Sequence, residues 1–179
     1  MTTGTPPAEI AELLGLGPDE KTVIRARRYL IDGHPVRLGT SYLPASVAAD
    51  TPLAEPNPGP GGIYARLEEQ GLPLEYVTEA VTARMPTPDE ANALRLASGV
   101  PVMRVLRVAF ASGDRPVEVG DSLMAADVYV LDYRVSLGCG GYGPRGGARH
   151  RPRSGRRRSQ RATLQRSGRR RSARTRTRT

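Results

Sequence analysis

The sequence predicts an α+β domain built from two similar helix–hairpin units, followed by a tail of different character. Three observations carry that expectation. The passage RARRYLIDGHPVRLGTSYLP at 25–44 has a counterpart at 104–125, RVLRVAFASGDRPVEVGDSLMA. Both run from arginines among apolar residues, through a Gly/Asp turn, to Pro-Val and then Gly-x-Ser, and the alternation on either side of each turn is that of antiparallel hairpins. Charge then divides the chain near Leu137: residues 1–137 hold all 18 acidic residues against 12 basic ones, a net −6, whereas the last 42 residues hold 15 arginines and no acid. That asymmetry marks a domain boundary.

The elements follow in order. Residues 1–6 read as a disordered start. Ile10, Leu13 and Leu14 recur at helical spacing behind Pro6 and Pro7, which predicts a first helix. TVIRARRYLI is rich in β-formers, Asp32-Gly33 is a hairpin-turn signal, and HPVRLGTSYLP alternates as the return strand. The Pro/Gly-rich stretch after Thr51 must be a loop. Ile63–Gln70 reads as a short helix stopped by Gly71, and Leu74–Arg84 as a strand. The second unit opens with Thr87, Pro88 and Glu90 in a capping-box pattern. VPVMRVLRVAF, ASGDR and PVEVGDSLM then give strand, turn and return strand, and DVYVLDYRV is expected to add a last strand. One antiparallel sheet of five to six strands, covered by helices, results. The return strands align without gaps at an offset of 81, Gly39 with Gly120 and Ser41 with Ser122, while Arg37 faces Glu118. The rising strands align at an offset of 79, Arg25 with Arg104 and Arg28 with Arg107.

Composition excludes several classes. MTTGTPPAEI has neither the basic nor the apolar region of a secretory signal, and no run of ~18 apolar residues is present to span a membrane. Cys139 has no second cysteine to pair with, and two distant histidines do not suggest zinc. A cytoplasmic protein without metal or cofactor is expected.

The series VIRARRYLIDGHPVRLGTSYLP, GPGGIYARLEEQG, VTEAVTARMPTPDEANALRL, GVPVMRVLRVAFASGDRPVEV and VYVLDYRV resembles the UTRA domain. That is the effector-sensing half of GntR-type transcriptional regulators of the HutC branch, and TSYLP and GGIYARLEE resemble the wording of actinobacterial members. The resemblance implies a chorismate-lyase-like fold over residues 7–137, a homodimer joined through a sheet edge, and a small-molecule effector, either a sugar phosphate, an organic acid or another polar metabolite.

It also implies a site. Members that sense phosphorylated sugars hold the phosphate with Arg-x-Arg on the first strand, a Ser-x-Tyr pair and the N-terminus of the middle helix. Guanidinium forks and free helix N–H groups suit an oxyanion. Arg25 and Arg27 match the arginines and Tyr64 the tyrosine, but Gly62 stands in place of the serine, so one hydroxyl donor is missing. Glu118 matches an acid that accepts hydrogen bonds from the ligand. Glu79 belongs to the family's E-x-x-x-A-R passage and is expected to orient Arg84.

Two departures stand beside the match. The family's winged helix-turn-helix is expected to be missing ahead of the first sensor helix, as in a truncated regulator, which leaves DNA contact to that absent head. Residues 138–179 have the composition of a disordered tail. Its arginines suit non-specific binding to phosphate backbones, but arginine with Gly, Pro and Ser and no lysine is also what a GC-rich gene encodes in a shifted frame. A tail-driven nucleic-acid-binding protein and a chorismate-lyase-like enzyme are the alternative readings. No nucleophile–base pair supports the enzyme, and fold analogy alone is weak warrant.

Overall fold

The computed structural model describes residues 1–133. Met1–Val128 form one compact unit, and a second begins at Tyr129. The first unit holds strands β1 (Thr2–Gly4), β2 (Thr22–Ile31), β3 (His34–Pro44), β4 (Leu74–Arg84), β5 (Val102–Ala111) and β6 (Arg115–Ala125). Its helices are α1 (Ala8–Leu14), α2 (Ala45–Ala48), α3 (Gly62–Glu69) and α4 (Pro88–Leu94), with a 3-10 turn at Pro52–Ala54. The strands form one sheet in the order β1-β2-β3-β6-β5-β4, and every neighbouring pair is antiparallel. The α+β architecture expected from the two hairpin units is therefore present. β2–β3 and β5–β6 are those hairpins, and they join through their return strands.

Two layers of helix bury the two faces of the sheet. On one face, Ile10 and Leu14 of α1 pack on Val108 and Val119, and Leu94 of α4 packs on Val102 and Leu123. On the other, α2, the 3-10 turn and α3 bring Val47, Ala48, Leu53 and Leu67 onto Val23, Leu43 and Ala109. Leu43, Leu53 and Leu67 are fully buried there. At ~1.5–3 kcal/mol per buried large aliphatic side chain, these contacts fix which segments can lie over the sheet.

The register corrects one alignment made from sequence. Arg25 pairs with Ser41 and Arg27 with Gly39 in the first hairpin, while Val105 pairs with Ser122 and Arg107 with Gly120 in the second. The structural mate of Arg27 is thus Arg107, an offset of 80, not the 79 that matched Arg28 to Arg107. The cause lies in the turns: two residues separate β2 from β3, and three separate β5 from β6. An error of one residue matters in a strand, because it moves a side chain to the opposite face.

Two expectations at the ends are also corrected. Residues 1–6, expected to be disordered, include β1, whose Thr2, Thr3 and Gly4 pair with Ile24, Val23 and Thr22. Three residues are too few to show a period, and it is the open ladder of β2 that recruits them. The strand expected over DVYVLDYRV is missing from 127–133, and Arg134 and Val135 lie outside the described residues, as does the tail. A turn at 126–128 ends β6, and Val128 and Val130 are left 39% and 51% exposed.

The capping box at α4 forms as the sequence predicts: Thr87 Oγ1 accepts from the Glu90 N–H, and the Glu90 carboxylate accepts from the Thr87 N–H at 2.8 Å. Arg84 donates to both oxygens of the same carboxylate, at 2.7 Å each. Those guanidinium bonds, with help from the Thr87 backbone, hold the Glu90 carboxyl at a pKa of about 2. A depressed carboxyl stabilises the fold above its unfolded pKa and loses that contribution as pH falls through the folded one. Thr87→Ala should cost about 1 kcal/mol in denaturant unfolding at pH 7. The stability gap between wild type and Glu90→Gln should be largest at neutral pH and shrink as pH falls from 4.5 toward about 2.

Candidate functional site

Directly paired residues of antiparallel strands point to the same face. The ladder therefore places Arg25, Ser41, Gly120, Arg107 and Glu79 in one row across β2, β3, β6, β5 and β4. The next row along holds Arg27, Gly39, Ser122, Val105 and Val81. Glu118 lies two residues from Gly120 on the same face, opposite Ala109. This is the face that α2, the 3-10 turn and α3 partly cover, and the polar rows begin where its apolar cluster ends.

Glu118 is the centre of the group. It is buried, and it accepts hydrogen bonds from the hydroxyls of Ser41 and Tyr64. Burial pushes its carboxyl up, against those bonds and the charges of Arg107 and Arg25. Tyr64 reaches down from the first turn of α3. Its ring is 36% exposed, while its hydroxyl bonds with both Glu118 and Arg107. Burial, and then the Glu118 charge, push that phenol up to about 12. Arg107 donates from Nε to Glu79 Oε1 at 2.6 Å, and a second guanidinium nitrogen lies 2.5 Å from the same oxygen. Burial alone lowers its pKa, but the bonds with Tyr64 and Glu79 outweigh that and raise it.

Arg25 is bound to the backbone of the segment that crosses this face. It is 3% exposed, and its guanidinium donates to the carbonyls of Leu53 and Glu55 at 2.5 Å and of Pro56 at 3.2 Å. Arg27 donates to the Pro56 carbonyl at 2.6 Å from a more exposed position. Burial, and then the neighbouring Arg27 charge, lower the Arg25 pKa. Together the two arginines tie the 53–56 segment down over the sheet, and the buried Nε of Arg25 is left without a partner.

Gly62 opens α3 with φ +68°, behind Gly61 at φ +81°. A Cβ on Gly61 would lie 2.5 Å from that of Ala65. The doublet turns the chain sharply into the helix in a conformation that only glycine adopts freely. The missing serine at position 62 is therefore a matter of backbone as well as of a lost hydroxyl.

Five of the six residues expected at the site, Arg25, Arg27, Tyr64, Glu79 and Glu118, come together on or over this face, and Gly62 sits two residues before Tyr64. Glu79 does not orient Arg84, however. Even-numbered Arg84 lies on the opposite face of β4 and pairs with Glu90, while Glu79 takes Arg107. Arg107 and Ser41 are the contributors that sequence reasoning missed as site residues. The register of the second hairpin is the signal that finds them. Among the described residues no cluster of His, Cys, Asp or Glu could hold a metal ion, and no helix is long and apolar enough to cross a membrane.

Strand facing gives a direct check. Hydrogen bonds to a charged partner contribute ~1.5–3 kcal/mol, so Arg27→Ala should weaken binding of an anionic ligand at this site about tenfold to a hundredfold. Arg28→Ala, on the opposite face, should leave affinity unchanged. Titration of both variants by thermal shift measures the difference, and equal losses would contradict the facing.

The UTRA domain family model matches residues 1–130. The HTH-type transcriptional regulator Rv0792c of Mycobacterium tuberculosis is 37% identical over 119 residues, which is 65% of this chain and 43% of that protein. The HTH-type transcriptional regulator SCO4628 of Streptomyces coelicolor is 30% identical over 129 residues, 70% of this chain and 48% of its own length. The chain thus spans less than half the length of these curated relatives. Among solved structures, a GntR-family transcriptional regulator superposes with a TM-score of 0.69 at 30% identity, over 76% of this chain and 56% of that one. The ligand-binding domain of a GntR-family regulator from Bordetella bronchiseptica gives 0.64 at 28% identity, over 76% and 83%. Sequence pattern, sheet order and these likenesses agree, and the chain belongs to the UTRA family, the effector-binding domain of GntR-family transcriptional regulators.

Proposed function

We propose that this chain senses a small polar or anionic metabolite, a sugar phosphate or an organic acid among the candidates, in the space bounded by Arg25, Arg27, Gly62, Tyr64, Glu79 and Glu118. One observation carries the reading: a buried carboxylate, Glu118, meets the Tyr64 hydroxyl of α3 and the Ser41 hydroxyl, with the Arg107 and Arg25 guanidiniums nearby. A carboxylate in such a place costs stability unless it is well partnered. A cluster of that kind that opens toward solvent through a half-exposed tyrosine fits ligand recognition better than packing.

The role is recognition without catalysis, in the cytoplasm, as part of a regulator of the HutC branch. Contact with specific DNA belongs to a winged-helix head. None of the four helices among the described residues exceeds eight residues, and none is placed as a reading helix. The arginine-rich tail adds at most non-specific, salt-dependent contact. Neither the tail-driven nor the enzyme reading gains support from the relatives.

Assembly as a homodimer through the sheet edge is part of the same reading. β4 is an 11-residue edge strand whose Ala80–Arg84 stretch is exposed, with Val81 at 45%. An edge of that length is a template for strand pairing. Thr82→Pro should shift the chain toward monomer in sedimentation experiments while the hairpins stay folded, and an unchanged dimer would place the interface elsewhere.

The ligand itself is testable without knowing its identity. A panel of sugar phosphates, organic acids and neutral sugars should contain members that raise the melting temperature of the wild-type chain. Glu118→Gln should reduce those shifts. A panel without any stabilising member, or shifts that Glu118→Gln leaves intact, would contradict the sensing site.

A further inference from the structure

We infer that Arg107 joins Arg27 as a cation that meets the effector, over a floor made by the two Gly-x-Ser segments, and that Arg25 is a positioning residue for the 53–56 strap. The inference rests on the sensing role proposed above and names the residue that sets its specificity.

The floor comes from the duplicated motif. β3 and β6 are the central strands, and their pairing sets Gly39 opposite Ser122 and Ser41 opposite Gly120. Four small residues thus meet as a checkerboard, with Arg27 outside Gly39 and Arg107 outside Gly120. A pseudo-twofold relation exchanges the two arginines, but the two halves are not equally open. A Cβ on Gly39 would lie 3.0 Å from the Tyr29 ring, which leans over that position with Arg37 stacked 3.8 Å from its centroid. A Cβ on Gly120 would meet nothing closer than a Glu118 oxygen at 3.9 Å. The open half is therefore the one beside Arg107.

Donor accounting separates the two arginines of this row. A guanidinium carries five N–H groups. Arg25 is buried and commits its terminal nitrogens to the carbonyls of Leu53, Glu55 and Pro56, while its Nε lacks a partner. Arg107 keeps 37% of its side chain exposed and, among the described residues, bonds with Glu79 and Tyr64, so its five N–H groups are not all committed, and its ladder partner is Gly120. Glu79, 14% exposed, holds the fork in place from the outer strand. Beside the planar fork sits the Glu118 carboxylate, which accepts hydrogen bonds. The ligand group that satisfies both is a hydrogen-bond acceptor joined to a donor: a carboxylate or phosphoryl oxygen for Arg107, with a neighbouring hydroxyl or N–H for Glu118.

The test uses the whole chain and three related probes, glucose, glucuronate and glucose 6-phosphate, with citrate and inorganic phosphate as simple oxyanions. Melting temperature is followed as each is titrated to tens of millimolar. Stabilisation by at least one anionic probe is expected in the wild type. Arg107→Gln should weaken it tenfold or more, while glucose changes little. The tail is the same in every variant, so its own anion binding cancels. Gly120→Val should fold with unchanged or raised melting temperature, since the position is open, yet lose the ligand shift. Glucuronate against glucose 6-phosphate, and citrate against inorganic phosphate, separate the carboxylate from the phosphoryl source.

Anionic shifts that survive both Arg107→Gln and Gly120→Val, or no anionic shift in the wild type, would overturn the assignment. If a neutral panel member stabilises the chain through Glu118 while no anion does, the sensing role stands and the Arg107 assignment alone fails. Silence from every compound contradicts both.

Discussion

The antiparallel ladder between β3 and β6 is the contact on which the rest depends. Each hairpin is local and forms from its own turn, but two hairpins side by side have no common face until their return strands pair. Pairing at Arg37–Met124 through Tyr42–Val119 aligns both hairpins in one register. That single alignment creates the polar rows, the apolar cluster beside them, and the two surfaces on which helices settle. A slip of one residue would exchange Glu118 with Val119 and Ser41 with Tyr42, putting a carboxylate into the α1 interface.

Helices then divide the labour unequally. α1 and α4 cover one face with aliphatic contacts and add the ion pairs of Arg104 with Glu9 and Asp121. The other face is covered by shorter pieces, and Arg25 stands in for part of the missing packing by gripping backbone carbonyls. A guanidinium suits this because its planar fork serves several acceptors at once. The consequence for binding is that the same face offers a closed apolar end and an open polar one, with α3 spanning the border and Tyr64 at its first turn.

Much of this was legible in the sequence, for physical reasons that differ from element to element. The hairpins announce themselves through period-two alternation about Asp32-Gly33 and Ser112-Gly113-Asp114, and the strand at Leu74–Arg84 through its β-formers. The capping box at Thr87 is a local chemical pattern and needs no tertiary context. β1 was invisible because three residues carry no periodicity, and the strand read at 127–135 had alternation without a core to face. At the site, residue types were readable but partners were not. Glu79 finds Arg107 and not Arg84 because cross-strand register, not sequence proximity, decides who meets whom. The role of Arg25 was hidden for the same reason, since its partners are backbone carbonyls nearly thirty residues away.

The unequal turns of the two hairpins bear on how such a domain tolerates change in length. The extra residue at Ser112–Asp114 sits wholly at the tip, where the chain reverses, so it leaves every facing in β5 and β6 compatible with the first hairpin. The same insertion inside a strand would invert every side chain beyond it. A change of length is therefore best absorbed at the hairpin tips, which lie outside the Arg37–Met124 to Tyr42–Val119 ladder. A reporter group or an epitope grafted at a hairpin tip would be carried by the domain as freight outside the polar rows, although at Ser112–Asp114 it would cost the bonds of Asp114 with Tyr76 and of Ser112 with Glu75.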